Sequence, residues 1–69
     1  MIKISMKAAR VNANISQCEM AKRLGKSQNT VLAWELGRKA PRMDELQAYC
    51  TECGCSIADI SLPSVFEKN

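Results

Sequence analysis

The sequence predicts an all-α domain, a compact five-helix bundle formed by residues 1–69 as one unit. Three observations point there. One Phe, one Tyr and one Trp in 69 residues, with few β-branched runs, disfavour a sheet. Three glycines and two prolines leave long uninterrupted stretches in which helices can grow. Capping residues and glycines punctuate those stretches at helix-length intervals. A chain of this length makes one domain with a modest core, so its stability is expected to be small.

The first helix is expected from about Ser5 to Ala13, ending near Asn14, a residue type that tolerates the left-handed backbone of a helix end. Ser16 opens the second, with Glu19 three residues on as its capping-box partner. Met20, Ala21 and Leu24 then give an apolar stripe, and Gly25 stops the helix. Ser27 caps a third helix, about Gln28 to Leu36, closed by Gly37. Beyond Pro41 a fourth helix covers about Met43 to Cys53, with Leu46, Tyr49, Cys50 and Cys53 on its apolar face and Gly54 at its end. Ser56 caps a last short helix with Ile57 and Ile60 inward, and residues 62–69 form a tail.

Ten basic and seven acidic residues give a net charge of +3, a mild bias compatible with nucleic acid. Placement says more than the sum. Lys22, Arg23, Lys26, Arg38, Lys39 and Arg42 crowd the middle, while Asp44, Glu45, Glu52 and Asp59 lie in the second half. No apolar run approaches the ~20 residues of a membrane span, and Lys3, Lys7 and Arg10 break up any signal-peptide core. A cytoplasmic protein is therefore expected, with its four cysteines as thiols.

Cys50, Cys53 and Cys55 are spaced C-x2-C-x-C, which raises a zinc or redox reading. A closed zinc site wants four N or S ligands, and the chain has no histidine. Cys50 and Cys53 instead continue the stripe begun by Leu46 and Tyr49, where a small hydrophobe is wanted. Core packing is the stronger reading, so no metal, cofactor or small-molecule substrate is expected. Nor is catalysis, since no nucleophile–base pairing stands out.

Residues 16–37 work as a unit. A capped helix meets the turn Gly25-Lys26-Ser27 and then a second capped helix, so the pair must cross steeply as a helix-turn-helix. With Val31 inward on the third helix, Trp34 and Glu35 lie near it. Asn29, Leu32, Ala33 and Leu36 fall opposite, and Gln28 sits at the exposed N-terminal end. Trp34 is then a core aromatic. Arg10 and Glu35 are either two independent surface charges or, since Glu35 sits beside inward Val31, a partly buried pair, which is the preferred reading. Carboxamides in a first turn suit a major groove because they bond bidentately to adenine. Leu32 and Ala33 suit a thymine methyl, and Gln17, Arg38 and Lys39 suit phosphates.

The ordered set Ser16-Gln17, Met20-Ala21, Leu24-Gly25, Ser27, Val31, Trp34-Glu35, Gly37 and Pro41, continued by Leu46, Tyr49, Gly54, Ser56-Ile57 and Asp59-Ile60, resembles the Xre-type helix-turn-helix family of phage repressors and Cro proteins. The resemblance covers roughly residues 5–61. It implies a lambda-repressor-like DNA-binding domain that regulates transcription. By it, Gln28, Asn29, Leu32 and Ala33 would read bases. Gln17, Ser27, Arg38 and Lys39 would hold phosphates, and Arg10 and Glu35 would join the first and third helices. Two positions depart from the family pattern: Leu36 stands where a polar or basic group is usual, and Arg42 replaces the usual small capping residue after the proline. The stretches Met6–Ala13 and Asp59–Pro63 look like those of short regulators from phages or mobile elements.

A domain of this size covers about half a typical specific site, so a homodimer on a double-stranded, near-palindromic operator is expected. Ile57, Leu62, Val65 and Phe66 are the apolar residues that would pair two copies or merely seal the bundle. A protein-interaction adaptor or antitoxin of the same fold is the rival. Salt-dependent DNA binding would separate the two.

Overall fold

Four α-helices carry the chain in the computed structural model, which describes residues 3–62: α1 Met6–Asn12, α2 Gln17–Leu24, α3 Gln28–Leu36 and α4 Met43–Cys53. The first three start on serines whose side chains take up a free backbone N–H. Ser5 accepts from Ala8 at 3.0 Å, Ser16 from Glu19 at 3.0 Å and Ser27 from Thr30 at 3.1 Å. Arg42, at the start of α4, has no acceptor to offer. Glu45 reaches back instead, and its carboxylate accepts the Arg42 N–H at 2.7 Å.

Each of the last three α-helices ends on a glycine with positive φ. At the end of α4 the Cys55 N–H then reaches the Cys50 carbonyl at 3.0 Å, as a left-handed residue at that position allows. Asn14, with φ 60°, takes the same backbone region just after α1.

Two expectations are corrected here. The fifth helix is a single 3-10 turn, Ile57–Asp59. Asp59 folds its carboxylate back to accept from the Ser56 N–H at 3.2 Å and hydroxyl at 3.1 Å, and the chain then becomes extended. Ile60–Ser61 (β2) pairs in parallel with Ile4–Ser5 (β1), Ile4 opposite Ile60, which buries Ile60 while Ile57 stays half-buried. The second correction is the Ser16 capping box, of which only the serine half forms. Glu19 turns to Arg23 one helical turn on, at 3.1 Å, because an i,i+4 cation competes for the same carboxylate.

Trp34, Tyr49, Met6, Met20, Val31 and Cys50 form the fully enclosed centre. The Trp34 indole N–H has no partner among the described residues, a cost of about 1–3 kcal/mol. About 200 Å² of buried aromatic surface at about 25 cal/mol per Å² returns more than that. Ile57 and Leu62 pack half-buried against this core, whereas Val65 and Phe66 lie outside the described residues. Among the described residues, no helix is long and apolar enough to cross a membrane.

Candidate nucleic-acid interface

Gly25, Lys26 and Ser27 join α2 to α3. The turn needs a left-handed residue, and Gly25 takes it at φ 67° without a Cβ to strain. Beyond the turn, Gln28 and Asn29 stand exposed in the first turn of α3, and Leu32 and Ala33 are half-buried. Ser27 is exposed, with its hydroxyl engaged by the α3 cap and by Thr30 Oγ1 at 3.0 Å. Arg38 and Lys39 follow Gly37, both exposed and without an ion-pair partner among the described residues.

Two other cations of the central cluster are paired with acids, while Lys22 is exposed and has no ion-pair partner among the described residues. Arg23 bonds Glu19 at 3.1 Å and Glu52 at 3.2 Å, and Lys26 bonds Glu45 at 2.7 Å. The Lys26 ammonium, followed by the Arg42 backbone N–H, holds the Glu45 carboxyl below the usual range. Acids of α4 thus pair with Arg23 and Lys26, and Lys22, Arg38 and Lys39 are left without an acidic partner among the described residues.

Behind α3 lies a polar network. Arg10 donates from Nε to Glu35 Oε2 at 2.7 Å and from Nη2 to Oε1 at 3.1 Å. Its Nη1 donates to the Ile15 carbonyl at 2.9 Å, fixing the corner between α1 and α2. The Tyr49 hydroxyl lies 2.6 Å from Glu35 Oε2 and 2.9 Å from the Met6 carbonyl. Gln17 Nε2 donates to Glu35 Oε1 at 3.2 Å, and Gln28 Nε2 donates to Gln17 Oε1 at 3.3 Å. Burial pushes the Glu35 carboxyl up, but the donors Arg10, Tyr49 and Gln17 outweigh it and hold the group below the ordinary range. Burial raises the Tyr49 hydroxyl, reinforced by the Glu35 charge.

The structure therefore brings Arg10 and Glu35 together and sets Gln28, Asn29, Leu32 and Ala33 along α3, Gln28 and Asn29 at its open end. It adds partners that no sequence pattern pointed to: Gln17 bridges Glu35 and Gln28, and Tyr49 closes the network from α4. A buried tyrosine hydroxyl needs a partner, but that general rule does not single out Glu35. Cys50 is buried, Cys53 and Cys55 are half-buried and Cys18 is exposed. Among the described residues, no three side chains of His, Cys, Asp or Glu are grouped to hold a metal ion.

A family model described as helix-turn-helix matches residues 6–60 of the chain. No curated protein and no solved structure matches it significantly.

Proposed function

The chain belongs to the Xre/Cro-like helix-turn-helix family, and from that membership we propose a sequence-specific regulator that reads double-stranded DNA with α3. In this reading it is a repressor of phage or mobile-element type, and it binds a near-palindromic operator as a homodimer. The observation that carries the proposal is the pairing of two environments on one helix. Gln28 and Asn29 are exposed carboxamides in its first turn, the chemistry that matches base edges in a major groove. Arg38 and Lys39 follow its last turn as exposed cations free of acidic partners among the described residues, the chemistry that neutralises phosphates. Gln17, Ser27, Arg38 and Lys39 are the proposed phosphate contacts. Gln28, Asn29, Leu32 and Ala33 are the proposed base contacts.

Selection of bound duplexes from a random pool tests the proposal, followed by titration of the enriched duplex and a scrambled one at two salt concentrations. Enrichment of a two-fold-related sequence, with affinity falling steeply as salt rises, is expected. Failure to enrich any sequence overturns it. A protein-interaction adaptor is the second reading, and it draws on Leu36 at 55% exposure and Met43 at 69%. That reading expects no salt-dependent DNA binding.

A further inference from the structure

The hydrogen bonds behind α3 have a direction. An ionised carboxylate only accepts, so Gln17, 3.2 Å from Glu35 Oε1, has to present its amide nitrogen there. Its carbonyl oxygen is then turned toward Gln28, which in turn has to present an N–H, at 3.3 Å. One N–H of Gln28 is thereby committed. When the committed N–H is the one pointing away from the carbonyl, the other N–H and the carbonyl oxygen form one free edge. That edge complements adenine, which offers an N7 acceptor and an N6 donor in the major groove. Guanine offers two acceptors, N7 and O6, and O6 would oppose the Gln28 oxygen.

On these grounds we infer that the charge on Glu35 determines which base Gln28 reads, by fixing the direction of the Gln17–Gln28 amide string so that adenine is preferred to guanine. The inference rests on the DNA-reading function proposed above. Glu35 is a positioning residue, since its side chain is 2% exposed and it acts through Gln17. Arg10 and Tyr49 keep it an acceptor by donating to it at 2.7 and 2.6 Å. With a neutral amide at position 35, Gln17 can accept as readily as donate. Gln28 is then free to turn its two N–H groups to guanine.

Four proteins select from the same random duplex pool: wild type, Gln28→Ala, Gln17→Met and the double variant Arg10→Met/Glu35→Gln. The double variant removes both charges, so neither is left buried alone, and Gln17→Met breaks the string at a site outside the core. Gln28→Ala marks the base pair that Gln28 reads, by losing preference there. At that base pair wild type should prefer adenine over guanine by about tenfold or more. In the other two variants the ratio should fall to about threefold or less, with preferences elsewhere in the site kept. A uniform loss of fold or of phosphate affinity does not move this ratio. An adenine preference retained by either variant overturns the inference, as does a wild-type preference for guanine. Absence of any enrichment by wild type is distinguishable from these outcomes: it removes the DNA-reading function and the inference with it.

Discussion

Arg10 and Glu35, 25 residues apart in the chain, meet through two hydrogen bonds of 2.7 and 3.1 Å, with side chains only 8% and 2% exposed. Two charges removed from water this far are tolerable only as a pair, because a lone buried charge carries its whole desolvation penalty. Glu35→Gln leaves the Arg10 guanidinium without a counter-charge and should cost about 3 kcal/mol. In a domain of this size that lowers the melting midpoint by roughly 12 °C or more. Replacing both residues with apolar ones of similar volume should recover part of the loss. A thermal melt followed by circular dichroism checks both, and an unchanged midpoint for Glu35→Gln would count against a stabilising role.

Acid should attack the same pair. Burial raises the Glu35 carboxyl, but hydrogen bonds from Arg10, Tyr49 and Gln17 more than offset this, leaving it below its ordinary value of 4.5. A carboxylate depressed by folding contributes stability above its unfolded pKa and loses that contribution as pH falls through the folded one. Stability should therefore decline as pH drops below about 4.5. Denaturant titrations at stepped pH should show a shallower decline in Arg10→Met/Glu35→Gln. Equal slopes in the two proteins would remove Glu35 from the account.

The helices were legible because their ends are written locally. Ser16 and Gly25 bracket α2, Ser27 and Gly37 bracket α3, and each residue acts on backbone groups within one turn of itself. Beyond Arg10–Glu35, which the family resemblance supplies, pairing across the fold was not legible. The Ile4–Ile60 pairing has only two residues per strand, too few for any period to register. The contact between Gln17 and Gln28 depends on how steeply α2 and α3 cross. Glu19 matches a capping box in sequence, but Arg23, four residues on, offers the carboxylate a better partner. The site shows the same division. Exposed carboxamides on α3 follow from its period and its cap, whereas the direction of their hydrogen bonds follows from a carboxylate delivered from behind.

The cysteines should behave as packing groups. Cys50 is fully enclosed, and burial, with Cys55 beside it, pushes its thiol up to about 12. Burial likewise takes Cys53 up to about 11. A thiol is a poor nucleophile in that state, so iodoacetamide at neutral pH should label exposed Cys18 first and Cys50 only on unfolding. Cys50→Ala leaves a small cavity and should cost about 1 kcal/mol, and half-buried Cys53→Ala should cost less. A chelator should leave the melt unchanged. Loss of helicity on adding one would show that the thiols hold a metal.

On DNA the protein should act in pairs. Two copies of α3 have to enter successive major grooves about 34 Å apart on one face of the duplex, because one domain spans only half of a typical site. Hydroxyl-radical footprinting at saturating protein should protect two segments one helical turn apart. Protection of a single segment would mean that one domain suffices and that the homodimer is not the binding form.

Reading and clamping should separate by mutation. Gln28 and Asn29 face base edges in the proposed complex, so replacing either with Ala should cost about 1–3 kcal/mol on the selected site. The same change should barely alter binding to random DNA, where no base edge is matched. Arg38 and Lys39, exposed and without acidic partners among the described residues, are proposed to displace counterions from phosphates. Lys39→Ala should therefore weaken selected and random duplexes alike and flatten the slope of log K against log salt by about one unit. Fluorescence anisotropy titrations of both duplexes at several salt concentrations measure all four quantities. The contrast decides more than either magnitude. If Gln28→Ala weakened every sequence equally, or Lys39→Ala changed the preferred base, α3 would not lie in the major groove as proposed. An exposed polar first turn facing a protein partner would then account for these residues better, with Leu36 as the apolar centre of that contact.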